Sequence, residues 1–116
     1  MTKTSELIDQ AEAALESART SMDSRNYDWA FGHARNSIEF GLKAIIEYHG
    51  RSFTKTSIAS LIHELKIMIS IPDDVVVAAK AVAEMEKHAS NNERFCRMVI
   101  TYADIIMKWV LQTTGF

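Results

Sequence analysis

Residues 27–50 read YDWAFGHARNSIEFGLKAIIEYHG, and this stretch decides the fold. Tyr27, Phe31, Ala34, Ile38, Leu42 and Ile45 recur at three- and four-residue spacing, which sets them on one stripe of a helix. Beside that stripe Ala30, Ala34, Ser37 and Gly41 are small, so a neighbouring helix can approach closely. Trp29, Phe40 and Ala44 lie on another flank, and Arg35, Glu39, Lys43 and Glu47 form a charged face. Asn26 suits an N-cap, and Gly50 after His49 suits a left-handed C-cap.

The same periodicity extends outward in both directions. A first helix is expected over Ser5 to Asp23, with Leu7, Ala11, Ala14, Leu15, Ala18 and Met22 facing inward. A third starts near Ser57 and buries Ile58, Leu61, Ile62 and Leu65. Pro72, Asp73 and Asp74 open a fourth, since proline and acidic side chains suit a helix start, and it runs to about His88. Residues Ala89 to Asn92 break the pattern, and a fifth helix fills Glu93 to about Gln112. The run Val75 to Val77 has β propensity but sits inside the helical pattern, and no alternating stretch suggests a sheet. The expectation is an all-α fold, an up-and-down four-helix bundle core with about five helices, as one domain over residues 1–116.

Composition bounds the function. The 116 residues carry 13 Lys and Arg against 15 Asp and Glu, a net charge of −2, so no global field draws the chain to nucleic acid. No apolar run reaches transmembrane length, and the N-terminus lacks the pattern of a secretory signal. A cytoplasmic protein with no membrane association is expected. Cys96 is the single cysteine, on an apolar helix face, and reads as a small core residue.

The fifth helix is apolar on two faces. Cys96, Val99, Ala103, Met107 and Val110 make one stripe, and Met98, Tyr102, Ile105 and Trp109 make a second. Two apolar faces are hard to enclose in so small a bundle, so a homodimer is expected through Met98, Tyr102, Ile105 and Trp109.

Motifs for chemistry are few. Glu39 and Lys43 have the favourable i,i+4 order, and Arg35 one turn earlier adds a second cation able to hold phosphate oxygens. Arg94, before Phe95 at the start of the fifth helix, is placed to reach across the mouth of the bundle. His63, between Ile62 and Leu65, reads as a partly buried, hydrogen-bonded histidine. Glu84 and His88 supply two ligand types at i,i+4 but no third, so no metal is expected. No Gly-rich phosphate loop, nucleophile elbow or calcium loop is present, so neither cofactor nor catalytic residue is assigned.

The segment Ala34 to Ala44 followed by Gly50 resembles the signature second helix of HEPN domains. Tyr27 and Ala30 match the family's Tyr-x-x-Ala start, while Ala34, Glu39, Lys43 and Ala44 match its A-x-x-x-x-E-x-x-x-K-A core. His63-Glu64-Leu65 matches a His-acidic-Leu element, and Arg94-Phe95 matches an Arg-aromatic step before the last helix, with Phe where Tyr is usual. The resemblance covers roughly residues 5–112. It implies a helical bundle, usually dimeric and largely prokaryotic. Many such domains are encoded beside a minimal nucleotidyltransferase, and others are ribonuclease toxins that pair an Arg with a His across four to six intervening residues. Here no Arg has a His at that spacing; Phe40, Gly41 and Leu42 stand where Arg35-Asn36 would need it. Such nucleases need that polar group for proton transfer.

The reading implied is a non-catalytic HEPN-type domain that binds nucleotide or RNA phosphate, as the substrate-binding partner of a minimal nucleotidyltransferase. Arg35, Lys43 and Arg94 would contact phosphate, with Glu39 and His63 in support. The alternatives are a HEPN ribonuclease of a toxin–antitoxin system with a rearranged site, and a protein-interaction module.

Overall fold

A computed structural model describes residues 2–88 and 92–116. It contains five helices, α1 (Lys3–Asp23), α2 (Tyr27–Tyr48), α3 (Ile58–Met68), α4 (Asp73–Met85) and α5 (Glu93–Thr114), and no strand among the described residues. Val75 to Val77 are helical, so tertiary context overrides their β propensity. No helix is long and apolar enough to cross a membrane among the described residues.

The caps explain where each helix starts. Thr2 accepts from the Ser5 amide, which draws the start of α1 two residues ahead of the expected Ser5. Ser57 accepts from the Ser60 amide at 3.2 Å, and Asn92 accepts from the Phe95 amide at 2.9 Å. Asn26 precedes α2 without a side-chain cap bond; its carbonyl takes the Ala30 amide at 2.9 Å. The end of α4 falls at Met85 rather than near His88, because Lys87 and His88 donate three residues back, to the Glu84 and Met85 carbonyls. Residues 89–91 of the expected break lie outside the described residues. Gly50 ends α2 with φ 75°, while Gly50 and Arg51 donate back to Glu47 and Ile46. Arg25 closes α1 by the same device at φ 59°, without the glycine that usually marks it.

Helix α2 is the axis of the core. Ile38, Leu42, Ile45 and Ile46 are fully buried, and α2 packs against α1, α3 and α5. Helices α2, α5, α4 and α3 close a ring in that order, and α1 lies along α2 and α5. The small ridge does what its residue types suggest. A Cβ built on Gly41 would lie 3.0 Å from Met107 Sδ and 3.4 Å from Val110 Cγ2, so α2 and α5 approach closely there. Cys96 Sγ donates to the Tyr27 carbonyl at 3.1 Å, so the start of α5 lies beside the start of α2 and the two helices run parallel. The first apolar stripe of α5, Cys96, Val99, Ala103, Met107 and Val110, is wholly buried.

Two expectations about apolar surface are corrected. Trp109 is only 9% exposed and belongs to the chain's own core, whereas Met98, Tyr102 and Ile105 pack on that core half-buried. Trp29, Phe40 and Ala44 do not act as one flank: Trp29 is 64% exposed, Phe40 is half-buried and Ala44 is fully buried. Trp29 lies on the outer side of the first turn of α2, whose inner side buries Ala30 and meets Cys96 of α5 at the Tyr27 carbonyl.

Candidate functional site

The charged face of α2 folds into a cluster that ties three parts of the chain together. Arg35 donates from Nη1 to Glu39 Oε1, from Nε to Glu86 Oε1 at 2.8 Å and from Nη2 to the Thr56 carbonyl at 3.0 Å. Glu39 Oε2 accepts from Lys43 Nζ at 2.7 Å. Lys43 Nζ also lies 4.9 Å from the centre of the Phe53 ring, and Lys3 Nζ lies 5.0 Å from the same ring. The side chains of Arg35, Glu39 and Lys43 are 21%, 15% and 10% exposed. The α2–α3 loop therefore lies across α2, held by Arg35 at Thr56 and by two lysines at Phe53, while Glu86 brings in the end of α4.

Electrostatics close this cluster on itself. Burial opposes the charge on Arg35, but hydrogen bonds and attraction to Glu39 and Glu86 outweigh it and hold its pKa above the usual arginine value. Burial likewise pushes Glu39 up, and the bonds from Lys43 and Arg35 overcome it to leave the carboxyl below its ordinary range. Within the ion-paired set, Glu39 and Glu86 answer Arg35 and Lys43. The expectation that Arg35 and Lys43 offer free cations to phosphate therefore meets an ion-paired geometry, and the physical reason is Glu86, which sequence spacing could not bring beside Arg35. Glu47, last in the face, has Oε2 buried without a hydrogen-bond partner among the described residues.

The other sequence candidates lie elsewhere. Arg94 is exposed at the start of α5, with no hydrogen bond or ion pair among the described residues, near the first turn of α2. Arg35 is eight residues along α2 from Tyr27, roughly 12 Å of helix rise. Arg94 and Arg35 thus lie at different levels of the bundle. His63 is exposed rather than partly buried, and no hydrogen bond holds it among the described residues. His49 Nδ1 bonds the Ile45 carbonyl at 2.9 Å at the end of α2, and His33 meets Trp29 edge-on at 5.8 Å. His88 lies 3.7 Å from Glu84, and no group of three metal-ligating side chains forms among the described residues. Cys96 is fully buried, and burial pushes its thiol up, away from nucleophilic reactivity.

Sequence reasoning missed a groove. Helices α3 and α4 enclose a hollow of about 410 Å³ lined by Ala59, Ile62, His63, Lys66, Lys80, Ala83, Glu84 and Lys87. Lys80, Glu84 and Lys87 recur at helical spacing on α4, as His63 and Lys66 do on α3, but each set alone looks like ordinary solvated surface. Only the packing of α3 on α4 brings them to one place.

The described residues form an all-helical domain of five helices whose α2 face is tied by ion pairs to the end of α4. Comparison with known proteins names it. The HEPN domain model matches residues 4–113. The chain belongs to the HEPN family. It is similar to the crystal structure of TT1696 from Thermus thermophilus, at 22% identity and TM-score 0.83 over 97% of this chain and 98% of that one. It is also similar to ST0689, an archaeal HEPN homologue, at 21% identity and TM-score 0.81 over 98% of this chain and 99% of that one. A HEPN domain protein from Thermotoga maritima, tm0613, gives 20% identity and TM-score 0.80 over 95% and 98%. No curated protein matches.

Proposed function

We propose that this HEPN domain binds the phosphates of a nucleotide or RNA without cleaving it, as the substrate-binding partner of a minimal nucleotidyltransferase. The observation that carries this reading is the company Arg35 keeps. Its guanidinium is engaged by two carboxylates and a carbonyl, and none of its bonds among the described residues goes to a histidine, which supports binding over the arginine–histidine chemistry of the family's nucleases. Arg35, Glu39 and Lys43 act by holding the loop and α4 in place, and Arg94, exposed at the start of α5, is a cation open to a ligand. The domain works as a homodimer through Met98, Tyr102 and Ile105, half-buried on α5, with Trp109 packed behind them.

The test is direct. Purified protein titrated with ATP and with a short RNA is expected to bind at least one of them, to leave total RNA intact, and, as Arg94→Ala, to bind the RNA a few-fold more weakly with ATP binding unchanged. RNA cleavage abolished by Arg35→Ala would overturn the non-catalytic reading, and no binding of either ligand would overturn the phosphate reading. Co-purification with the product of an adjacent nucleotidyltransferase gene tests the partner. Sedimentation at micromolar concentration tests the dimer; a clean monomer counts against it.

The exposed Trp29 favours a second reading, a protein-interaction module docking through the first turn of α2. In that case Trp29→Ala releases a co-purifying protein and phosphate binding is absent.

A further inference from the structure

We infer that the groove between α3 and α4, with the hollow beside it, is a nucleotide site that takes the polyphosphate chain over Lys66, Lys80 and Lys87 and the base against His63 and Ile67. This rests on the phosphate-binding reading above and gives it a place in the fold.

Charge is the first argument. Three lysines face the groove and one carboxylate, Glu84, answers them. Glu84 is already paired with Lys87 at 3.3 Å and lies 3.7 Å from His88 Nε2. Lys66 and Lys80 have no ion pair or hydrogen bond to a side chain among the described residues. Lys66 and Lys80 thus stand without an ion pair among the described residues on facing helices, whereas Arg35 and Lys43 are paired. Cations that line one hollow repel one another, and an anion between them relieves that repulsion. Phosphate oxygens suit lysine, which recognises them as a compact point charge with three donors.

Shape is the second argument. A neighbouring hollow of about 440 Å³ is lined by Thr54, Lys55, Ala59, Ser60, His63, Glu64 and Ile67. It meets the cationic groove over Ala59 and His63, which line both. Because the two hollows share these residues, one extended ligand can span both. His63 stands at the junction with no hydrogen bond to fix its ring, and Ile67 is 75% exposed. An imidazole face and an uncovered isoleucine suit the flat, weakly polar surface of a nucleobase. Each hollow falls within the roughly 300–1,000 Å³ range usual for small-molecule sites. A phosphate group followed by a flat ring, joined by a ribose, matches a cationic hollow followed by a more apolar one.

The experiment titrates the full chain with ATP, with inorganic triphosphate and with a short single-stranded RNA, by calorimetry. For Lys66→Ala/Lys80→Ala the expected result is roughly a ten-fold or greater weakening of the grip on ATP and triphosphate, with an unchanged melting curve. His63→Ala should weaken ATP and leave triphosphate unchanged, because it removes only the base contact. Arg19→Ala/Lys108→Ala removes two positive charges elsewhere and should bind ATP as the wild type does. If the wild type binds ATP and the Lys66/Lys80 variant binds it equally well, the groove is wrong and the phosphate reading stands. If RNA binds and ATP does not, the nucleotide assignment is overturned while the phosphate reading stands. If none of the three ligands binds the wild type, both fall.

Discussion

Two clusters of charge on this domain use the same residue types to opposite ends. On α2, Arg35 and Lys43 are matched by Glu39 and Glu86, partly buried, and fixed to a backbone carbonyl and an aromatic ring. In the α3–α4 groove, Lys66 and Lys80 are unmatched beside Lys87, and His63 is unfixed. The first cluster spends its charge on the fold, and the second keeps its charge for something outside the chain. A cation's role is thus read from its partners and not from its presence on a helix face.

The largest expected effect that separates the two is on stability. Glu39→Ala removes the carboxylate that both Arg35 and Lys43 share and leaves two partly buried cations short of a partner. A loss of about 2–3 kcal/mol is expected in urea unfolding. A loss below about 0.5 kcal/mol would mean the cluster is an ordinary solvated surface and the contrast is false. The groove should respond in the other sense. Lys66→Ala/Lys80→Ala is expected to shift unfolding by no more than about 0.5 kcal/mol in either direction, since no ion pair is lost. A large loss there would show that these lysines hold the fold.

Acid gives the smaller, sharper test. Glu39 is held below the ordinary carboxyl value of 4.5 in the folded chain. A lowered folded pKa stabilises the native state fully above about pH 4.5, and that stabilisation is lost as pH falls through the lowered value. Stability measured between about pH 5 and 2.5 should therefore fall less steeply for Glu39→Gln than for the wild type. Identical slopes would mean that Glu39 gains nothing from Arg35 and Lys43.

Helix existence was legible because it is local. The stripe from Tyr27 to Ile45, the Ser57 cap and the Gly50 stop all rest on spacings of a few residues, and the structure places each helix accordingly. Arg25 shows the limit of that signal. It takes the left-handed turn that closes α1 without being glycine, so nothing in its type announces it. The family was legible too, since Ala34, Glu39, Lys43 and Ala44 sit on one helix. The site was less so. Glu39 and Lys43 were visible as a pair, but the meaning of Arg35 depends on Glu86, 51 residues away, and on a loop carbonyl at Thr56. Lys66 and Lys80 come from two helices joined only by packing, and each alone has the appearance of a solvated residue. His63 was expected inside because of its apolar neighbours in sequence, yet the roughly 100° step between successive helical residues turns it outward.

The most direct measurement is the amide NMR spectrum of the chain with and without ATP, which reports both clusters at once. Shifts confined to residues 59–67 and 80–87, with residues 35–43 unmoved, are the predicted result. Shifts at residues 35–43 with the α3–α4 groove silent would contradict the account, because the α2 face would then be the binding surface and its ion pairs a reserve of free charge.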